Sequence, residues 1–278
     1  MSTIYRSEAS GLRMIRRYRE QLDAWPVPAE HLRVDTREGE TFALACGPAA
    51  APPVVLLHGS GANSSTWRGD IASWSRHFRV FAVDMVGEPG LSAQSRPRLD
   101  TDAVARWLDD VLDALGLTGT ALVGMSLGGW SALDYTLRRP DRVDRLALLC
   151  PGGIGRQTTG RVAAVAALSL FGQSGRRRSA ARMTGLAPDD PVVDEITATF
   201  GIFRPRTERL PVFDDAALAG IGVPVLAIVG DRDLMFDSAG TASRLERALP
   251  TARVHVLPGV GHAILGQTDT VLEFLREP

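Results

Sequence analysis

The sequence contains no lysine, so all 31 basic residues are arginine. Set against 32 acidic residues they leave a formal net charge of -1. A chain so evenly charged has no positive field to draw it to nucleic acid or to an anionic membrane, and neither is expected as a partner. The missing lysine reads as the coding bias of a GC-rich genome rather than a functional device. Cysteine is scarce as well. Cys46 and Cys150 lie far apart, form no metal-ligand spacing, and each ends an apolar run. That pattern describes reduced core cysteines in a cytoplasmic protein. Long apolar runs are also lacking. The longest, Val162–Phe171, is about ten residues, against roughly 20 for a bilayer span. The N-terminal region carries Arg6, Glu8, Arg13, Arg16, Arg17, Arg19 and Glu20 and no apolar h-region, so no targeting segment is expected.

What is present is ordinary in amount and specific in arrangement. Apolar residues make up 45% and charged residues 23%, as in globular chains. A length of 278 residues suits one large α/β core. The most informative stretch is Gly124-Met125-Ser126-Leu127-Gly128. Thr120–Val123 reads as the end of a buried strand, and from Leu127 the apolar period becomes helical until Pro140. A strand that turns into a helix without a loop forces a tight corner. Gly124 and Gly128 flank that corner, where a side chain would collide with neighbouring backbone. Ser126 stands at its apex. This is the context of a G-x-S-x-G nucleophile elbow.

The remaining chain supplies the partners such a serine needs. Residues 8 to 24 read as an amphipathic helix, and His31–Thr36 and Thr41–Cys46 as a hairpin around Glu38-Gly39-Glu40. Val54–Leu57 is a continuous apolar strand that opens into His58-Gly59-Ser60-Gly61. The loop at this position contributes one oxyanion N–H and the residue after the nucleophile contributes the other. Leu127 and Ser60 are therefore the expected donors, with Gly61 as the alternative to Ser60. His58, at a strand end, is expected to hold its loop by a hydrogen bond. Asp84, at the end of the strand Arg79–Val83, is expected to bind backbone amides of the loop that follows. Between Pro151 and about Pro211 the βα rhythm stops, which reads as a helical cap over the pocket mouth. Within it Val162–Phe171 and Val192–Phe203 read as helices, and Arg176-Arg177-Arg178 as a solvated face. The core resumes with Pro224–Val229 and Gly230-Asp231-Arg232-Asp233, then a helix, the strand Arg253–Leu257, the loop Pro258–His262 and a closing helix. The candidates thus run Ser126, an acid in the Gly230 loop, His262, which is the Ser…Asp/Glu…His order. All stand beyond strand ends, on the edge where open parallel sheets bind ligands. The Cys150–Ile154 stretch offers no competing carboxylate.

The sequence resembles the α/β-hydrolase fold superfamily over nearly its full length. The resemblance is carried by His58-Gly59, Asp84-x-x-Gly87, Gly124-x-Ser126-x-Gly128-Gly129, Arg138-Arg139-Pro140-Asp141-Arg142-Val143, Gly230-x-x-Asp233 and Gly261-His262. Trp25-Pro26-Val27-Pro28, Leu56-Leu57-His58-Gly59 and Phe213-Asp214-Asp215 make it similar to bacterial carboxylesterases of the naproxen-esterase-like group. The resemblance implies a mostly parallel sheet with helices on both faces. It divides the chain into an N-terminal helical segment (1–30), a core (31–150 and 212–278) and a cap (151–211) before the penultimate core strand. It also implies Asp233, three residues after Gly230, as the acid, with Asp231 bracing the loop. The chain departs from the family at Pro89, where the D-x-x-G-x-G-x-S loop has its second glycine, at Ser92, one residue late, and at Asp237, often proline.

The implied activity is hydrolysis of a carboxylic ester of a small apolar substrate through an acyl-enzyme on Ser126, His262 and Asp233, with no metal or cofactor. Gly61 and Met125, with Phe171 and Phe203 from the cap, are the expected substrate contacts; Val165, Leu168 and Phe200 are further apolar candidates. The same triad would serve a C–C bond hydrolase acting on vinylogous diketo acids, a thioesterase or an acyltransferase. A ligand-binding protein of the same fold with slow turnover is the reading from a different class. Dehalogenase and epoxide hydrolase chemistry is disfavoured, because those relatives carry an aspartate nucleophile where this chain has Ser126. The chain is expected as a monomer or a homodimer.

Overall fold

The structure is a computed structural model and describes residues 4–277. The segments 1–30 and 212–278 drawn from the sequence therefore run past the described residues at 1–3 and 278. Helix α1 is Glu8–Asp23. Ser7 caps it through its hydroxyl oxygen, which accepts the Ser10 N–H, and Met14, Tyr18 and Leu22 recur on its buried face. Strands β1 (Ala29–Thr36) and β2 (Gly39–Cys46) form the expected hairpin, paired from Ala29↔Cys46 to Thr36↔Gly39. The core continues through β3 (Pro53–Leu57), α2 (Ile71–Trp74), β4 (Arg79–Val83), α3 (Ala103–Ala114), β5 (Thr120–Met125), α4 (Leu127–Arg138) and β6 (Val143–Leu149). An insertion then carries α5 (Thr159–Ala166), α6 (Gly172–Thr184) and α7 (Pro191–Ile202). After it come α8 (Asp215–Ala219), β7 (Val225–Gly230), α9 (Ser238–Ala248), β8 (Arg253–Leu257) and α10 (Thr268–Arg276).

The described strands form one eight-stranded sheet in the order β1-β2-β4-β3-β5-β6-β7-β8. The pairs β1–β2 and β2–β4 are antiparallel and the rest are parallel. The expected α/β-hydrolase fold is the one observed. Along β3, Val55 and Leu57 belong to the core cluster that also holds Trp107 and Leu108 of α3, Leu133 of α4 and Leu245 of α9. Val54 and Leu56 belong to the other cluster, with Tyr18 of α1, Trp74 of α2 and Phe274 of α10. That two-sided burial is why the central strands are apolar without alternation. Each fully buried Leu or Val contributes about 2 kcal/mol relative to exposure. The edge strand β8 leaves Arg253, His255 and Val256 exposed.

The insertion departs from the sequence-based expectation in detail. The run Val162–Phe171 is split between α5 and a 3-10 turn over Ala167–Leu170. Gly172 follows with φ +70°, so the turn closes there and α6 starts afresh. Helix α6 carries the Arg176-Arg177-Arg178 stretch, whose helical character the apolar pattern concealed. Arg177 on it pairs with Asp194 of α7 at 2.7 Å. Helix α7 begins with Pro191 and is capped by Asp190, which accepts the Val192 N–H at 2.8 Å.

The corner between β5 and α4 is the tightest point of the fold. A Cβ on Gly128 would overlap the carbonyl oxygens of Leu57 and His58, and one on Gly124 would overlap the Gly128 carbonyl. Replacing Gly128 by Ala is expected to lower unfolding free energy by at least ~2 kcal/mol in urea titration, the upper range of overpacking. Gly222, around which a Cβ would meet nothing within 4 Å, serves as the comparison: Gly222→Ala should change stability by less than ~0.5 kcal/mol.

Candidate active site

Ser126 sits between the last residue of β5 and the first of α4 with φ 54° and ψ -110°, one of two non-glycine residues with positive φ among those described. The strain is held by the packing on both sides: the Ser126 N–H donates to Leu149 O at 2.9 Å, and its carbonyl accepts from Trp130 and Gly152. The serine is 9% exposed.

Three side chains from three loops meet at this corner. The Ser126 Oγ lies 3.0 Å from His262 Nε2, and His262 Nδ1 lies 2.7 Å from Asp233 Oδ2. An ionised carboxylate only accepts, so Nδ1 carries the proton and Nε2 is free to accept from the serine hydroxyl. The other oxygen of Asp233 accepts the N–H groups of Met235 at 2.6 Å and Phe236 at 3.2 Å. Asp231 faces the opposite way, exposed, and accepts the Gly259 N–H at 2.7 Å. The Phe236 ring stands 5.4 Å from the His262 ring.

The His262 loop is fastened on two sides. Arg232 donates its N–H to Val260 O at 2.9 Å. The end of α6 supplies the second tie: Ala263 N–H donates to Thr184 O at 3.0 Å, and Gly185 and Gly261 approach so closely that a Cβ on either would overlap the other. The insertion also pairs with the acid loop, through the bridge Gln157↔Phe236 and the Thr158 N–H to Met235 O at 3.0 Å.

The loop after β3 passes directly beside the serine; a Cβ on Gly59 would contact Ser126 Cβ at 3.4 Å. His58 is fully buried and accepts the Met85 N–H on Nε2 at 2.9 Å, so its Nδ1–H donates to Gly59 O at 2.8 Å. Burial lowers its pKa and keeps it neutral. The Gly61 N–H is taken by Glu88 Oε2 at 2.7 Å. The Ser60 and Leu127 N–H groups find no protein acceptor among the described residues. Of the two oxyanion candidates in this loop, Ser60 is thus the one with its amide free. Asp84 accepts from the Ser64 and Leu91 N–H groups, the Ser64 hydroxyl and the Tyr18 hydroxyl, all within 2.9 Å.

Two of the expected substrate contacts are corrected. Phe171 is 75% exposed, because the 3-10 turn before Gly172 swings it outward. Phe203 is fully buried with Ile4, Tyr5 and Met14, and the N-terminal strand segment bridges to it. From the insertion, Phe200 reaches the loop beside the serine, its ring covering Gly61 at its positive φ of 74°. Met125 is half-buried at the end of β5. Two residues not expected at the site also border it. Cys150, strained at φ 41°, lies beside His262, and Glu88 lies behind the Ser60–Gly61 loop. The proline after Glu88 was the signal available, since it marks where this loop leaves the family pattern.

The profile described as the alpha/beta hydrolase family matches residues 54–274. Carboxylesterase YbfK of Bacillus subtilis is 32% identical over 264 residues, 92% of this chain and 89% of its own. The crystal structure of that esterase (CesB) matches with a TM-score of 0.83 at 31% identity, covering 95% of this chain and 96% of the other. The crystal structure of naproxen esterase from Bacillus subtilis matches with a TM-score of 0.81 at 29% identity, covering 96% of each.

The electrostatics give one direct test. Burial opposes the imidazolium of His262, but Cys150 beside the ring and the Asp233 carboxylate outweigh it, and the pKa stands well above the ordinary 6.5. In a histidine NMR titration, His262 should remain protonated at pH values where a free imidazole is neutral, and Asp233→Asn should bring its midpoint down. His58, shifted the other way by burial, should show a midpoint below the ordinary 6.5. A His262 midpoint at or below 6.5 in the unmodified chain would contradict this arrangement.

Proposed function

The chain belongs to the alpha/beta hydrolase family, and from that premise we propose that it is a serine carboxylesterase acting on esters of small apolar acids or alcohols. The observation that carries this reading is the continuous hydrogen-bonded line Asp233–His262–Ser126 at 2.7 and 3.0 Å. Ser126 Oγ attacks the ester carbonyl carbon while His262 Nε2 takes its proton. The Ser60 and Leu127 N–H groups hold the developing oxyanion, a contribution of about 3 kcal/mol per donor in serine hydrolysis. The tetrahedral intermediate collapses, His262 returns the proton to the leaving alcohol, and the acyl group remains on Ser126. Water then enters with His262 as base, and the second collapse releases the acid and restores the serine. Asp233 keeps Nδ1 protonated throughout and stabilises the imidazolium.

The helices of 151–211 act in this reading as a cap that shapes the pocket. Phe200 against Gly61 and the tie between Thr184 and Ala263 support that role. The similarity to named carboxylesterases over nearly the whole chain favours ester cleavage over the other chemistries that a triad of this kind serves.

A fluorophosphonate should modify Ser126 and no other serine, read by mass mapping of the adduct, and a short-chain aryl ester should give a burst of alcohol. An adduct elsewhere on folded protein, or none, contradicts the proposal. Activity should fall as pH drops through the raised His262 pKa, because only neutral imidazole accepts the serine proton. Asp233→Asn should lower turnover by on the order of 10² or more, whereas Asp231→Asn, which loses only a loop brace, should leave turnover within about threefold of the original.

A further inference from the structure

Behind the loop after β3 lies a carboxylate for which ester hydrolysis by three residues has no use. Glu88 is 1% exposed. Its Oε2 accepts the Gly61 N–H at 2.7 Å and the Ser60 hydroxyl at 3.2 Å, and its Oε1 has no protein partner among the described residues. Burying a carboxylate is unfavourable unless it makes strong hydrogen bonds. Desolvation accordingly raises its pKa to about 7, even with the Gly61 amide bonded to it and Arg206 and Arg96 nearby.

Simple loop cohesion does not call for such a group, because neutral ties already hold this loop to the turn after β4. His58 accepts the Met85 N–H at 2.9 Å, and Asn63 Nδ2 donates to Pro89 O at 2.9 Å. Glu88 acts between those two ties, beside Ser60, whose N–H has no protein acceptor among the described residues. The Gly61 N–H belongs to the Ser60–Gly61 peptide, so holding it sets the plane on the C-terminal side of Ser60. Holding the Ser60 hydroxyl sets its side chain. The Ser60 N–H itself belongs to the Gly59–Ser60 peptide, whose carbonyl accepts the His58 Nδ1–H at 2.8 Å, so His58 on one side and Glu88 on the other hold the backbone around Ser60. One carboxyl oxygen of Glu88 accepts both bonds. The Phe200 ring over Gly61 shields them from water.

We propose that Glu88 is a positioning residue for ester cleavage: it clamps the Ser60–Gly61 peptide so that the Ser60 N–H points at the carbonyl oxygen of an ester poised on Ser126. The proposal rests on the serine-esterase reading above. It deepens that reading by assigning the alignment of one oxyanion donor to a carboxylate outside the triad.

The test compares Glu88→Leu, Glu88→Asp and Glu88→Gln in the full chain with the unmodified protein, on one aryl acetate, with circular dichroism and melting recorded for each. Glu88→Leu removes the acceptor and should lower kcat by about tenfold or more, short of the 10²–10³ lost with a whole donor, while KM changes by less than about threefold. Glu88→Asp keeps the charge but draws it back by one methylene, and should lose kcat in the same direction; it decides the matter if Glu88→Leu fails to fold. Glu88→Gln keeps an oxygen that can accept from both Gly61 and Ser60, and should restore kcat to within about threefold of the original. Folded Glu88→Leu or Glu88→Asp with undiminished kcat overturns the proposal, as does Glu88→Gln impaired as deeply as Glu88→Leu, or a loss that appears in KM alone. An unmodified chain with no turnover overturns the esterase reading and this proposal together, whereas an active chain with indifferent Glu88 variants overturns this proposal alone.

Discussion

The close approach of α4 to β3 governs the rest of this structure. A helix can start one residue after β5 only because Gly128 lets its backbone lie against the carbonyls of Leu57 and His58. The same approach puts Ser126 into a left-handed conformation that a serine does not adopt unaided. It also brings the Gly59–Gly61 loop alongside the serine, since that loop begins where β3 ends. Position of the hydroxyl, strain of its backbone and proximity of two free amides therefore share one steric origin. The burial of Trp107, Leu133 and Trp130 on one sheet face and of Trp74 and Phe274 on the other holds the sheet rigid enough to sustain it.

Around that corner the chain ties distant segments to one another. The acid loop after β7 and the histidine loop after β8 are neighbours because their strands are paired, from Leu226↔Arg253 to Gly230↔Leu257. The insertion then fastens to both loops, at Phe236 and at Ala263. The N-terminal segment fastens to the insertion in turn, through Tyr5↔Phe203, the Arg6 N–H to Ile202 O and the Arg204 N–H to Ile4 O. A contact made at the N-terminus thus reaches α7, and through Phe200 it reaches Gly61. This chain of physical contacts makes the N-terminal segment part of the site's support.

The polar residues near the serine divide by what they hold. Asp84 serves four donors and His58 one amide and one carbonyl, and both are buried and saturated. Asp231 serves a single exposed amide. Glu88 differs from all of them, because it is buried with one oxygen doubly used and the other without a protein partner. Buried and incompletely bonded groups are where function is to be sought.

Local chemistry made much of this legible in advance. Glycines two residues either side of a serine between an apolar strand and a helical pattern can mean little other than a tight corner. The continuous apolar runs of β3, β5 and β7 declare strands buried on both faces, and Gly-rich loops after strands mark the sheet edge that carries Ser126, Asp233 and His262. The insertion was another matter. Its apolar residues have no sheet to set their period, so Phe171 and Phe203 looked alike in sequence, although one faces solvent and the other is buried beneath Tyr5. Which aromatic reaches Gly61, and which carboxylate stands behind Ser60, depend on segments far apart in the chain: 139 residues separate Gly61 from Phe200 and 27 separate it from Glu88. The sequence by itself determined the elements and the order in which Ser126, Asp233 and His262 follow their strands, because backbone sterics and burial act over a few residues. Only the tertiary structure decided what surrounds those groups, because packing joins residues that no local pattern relates.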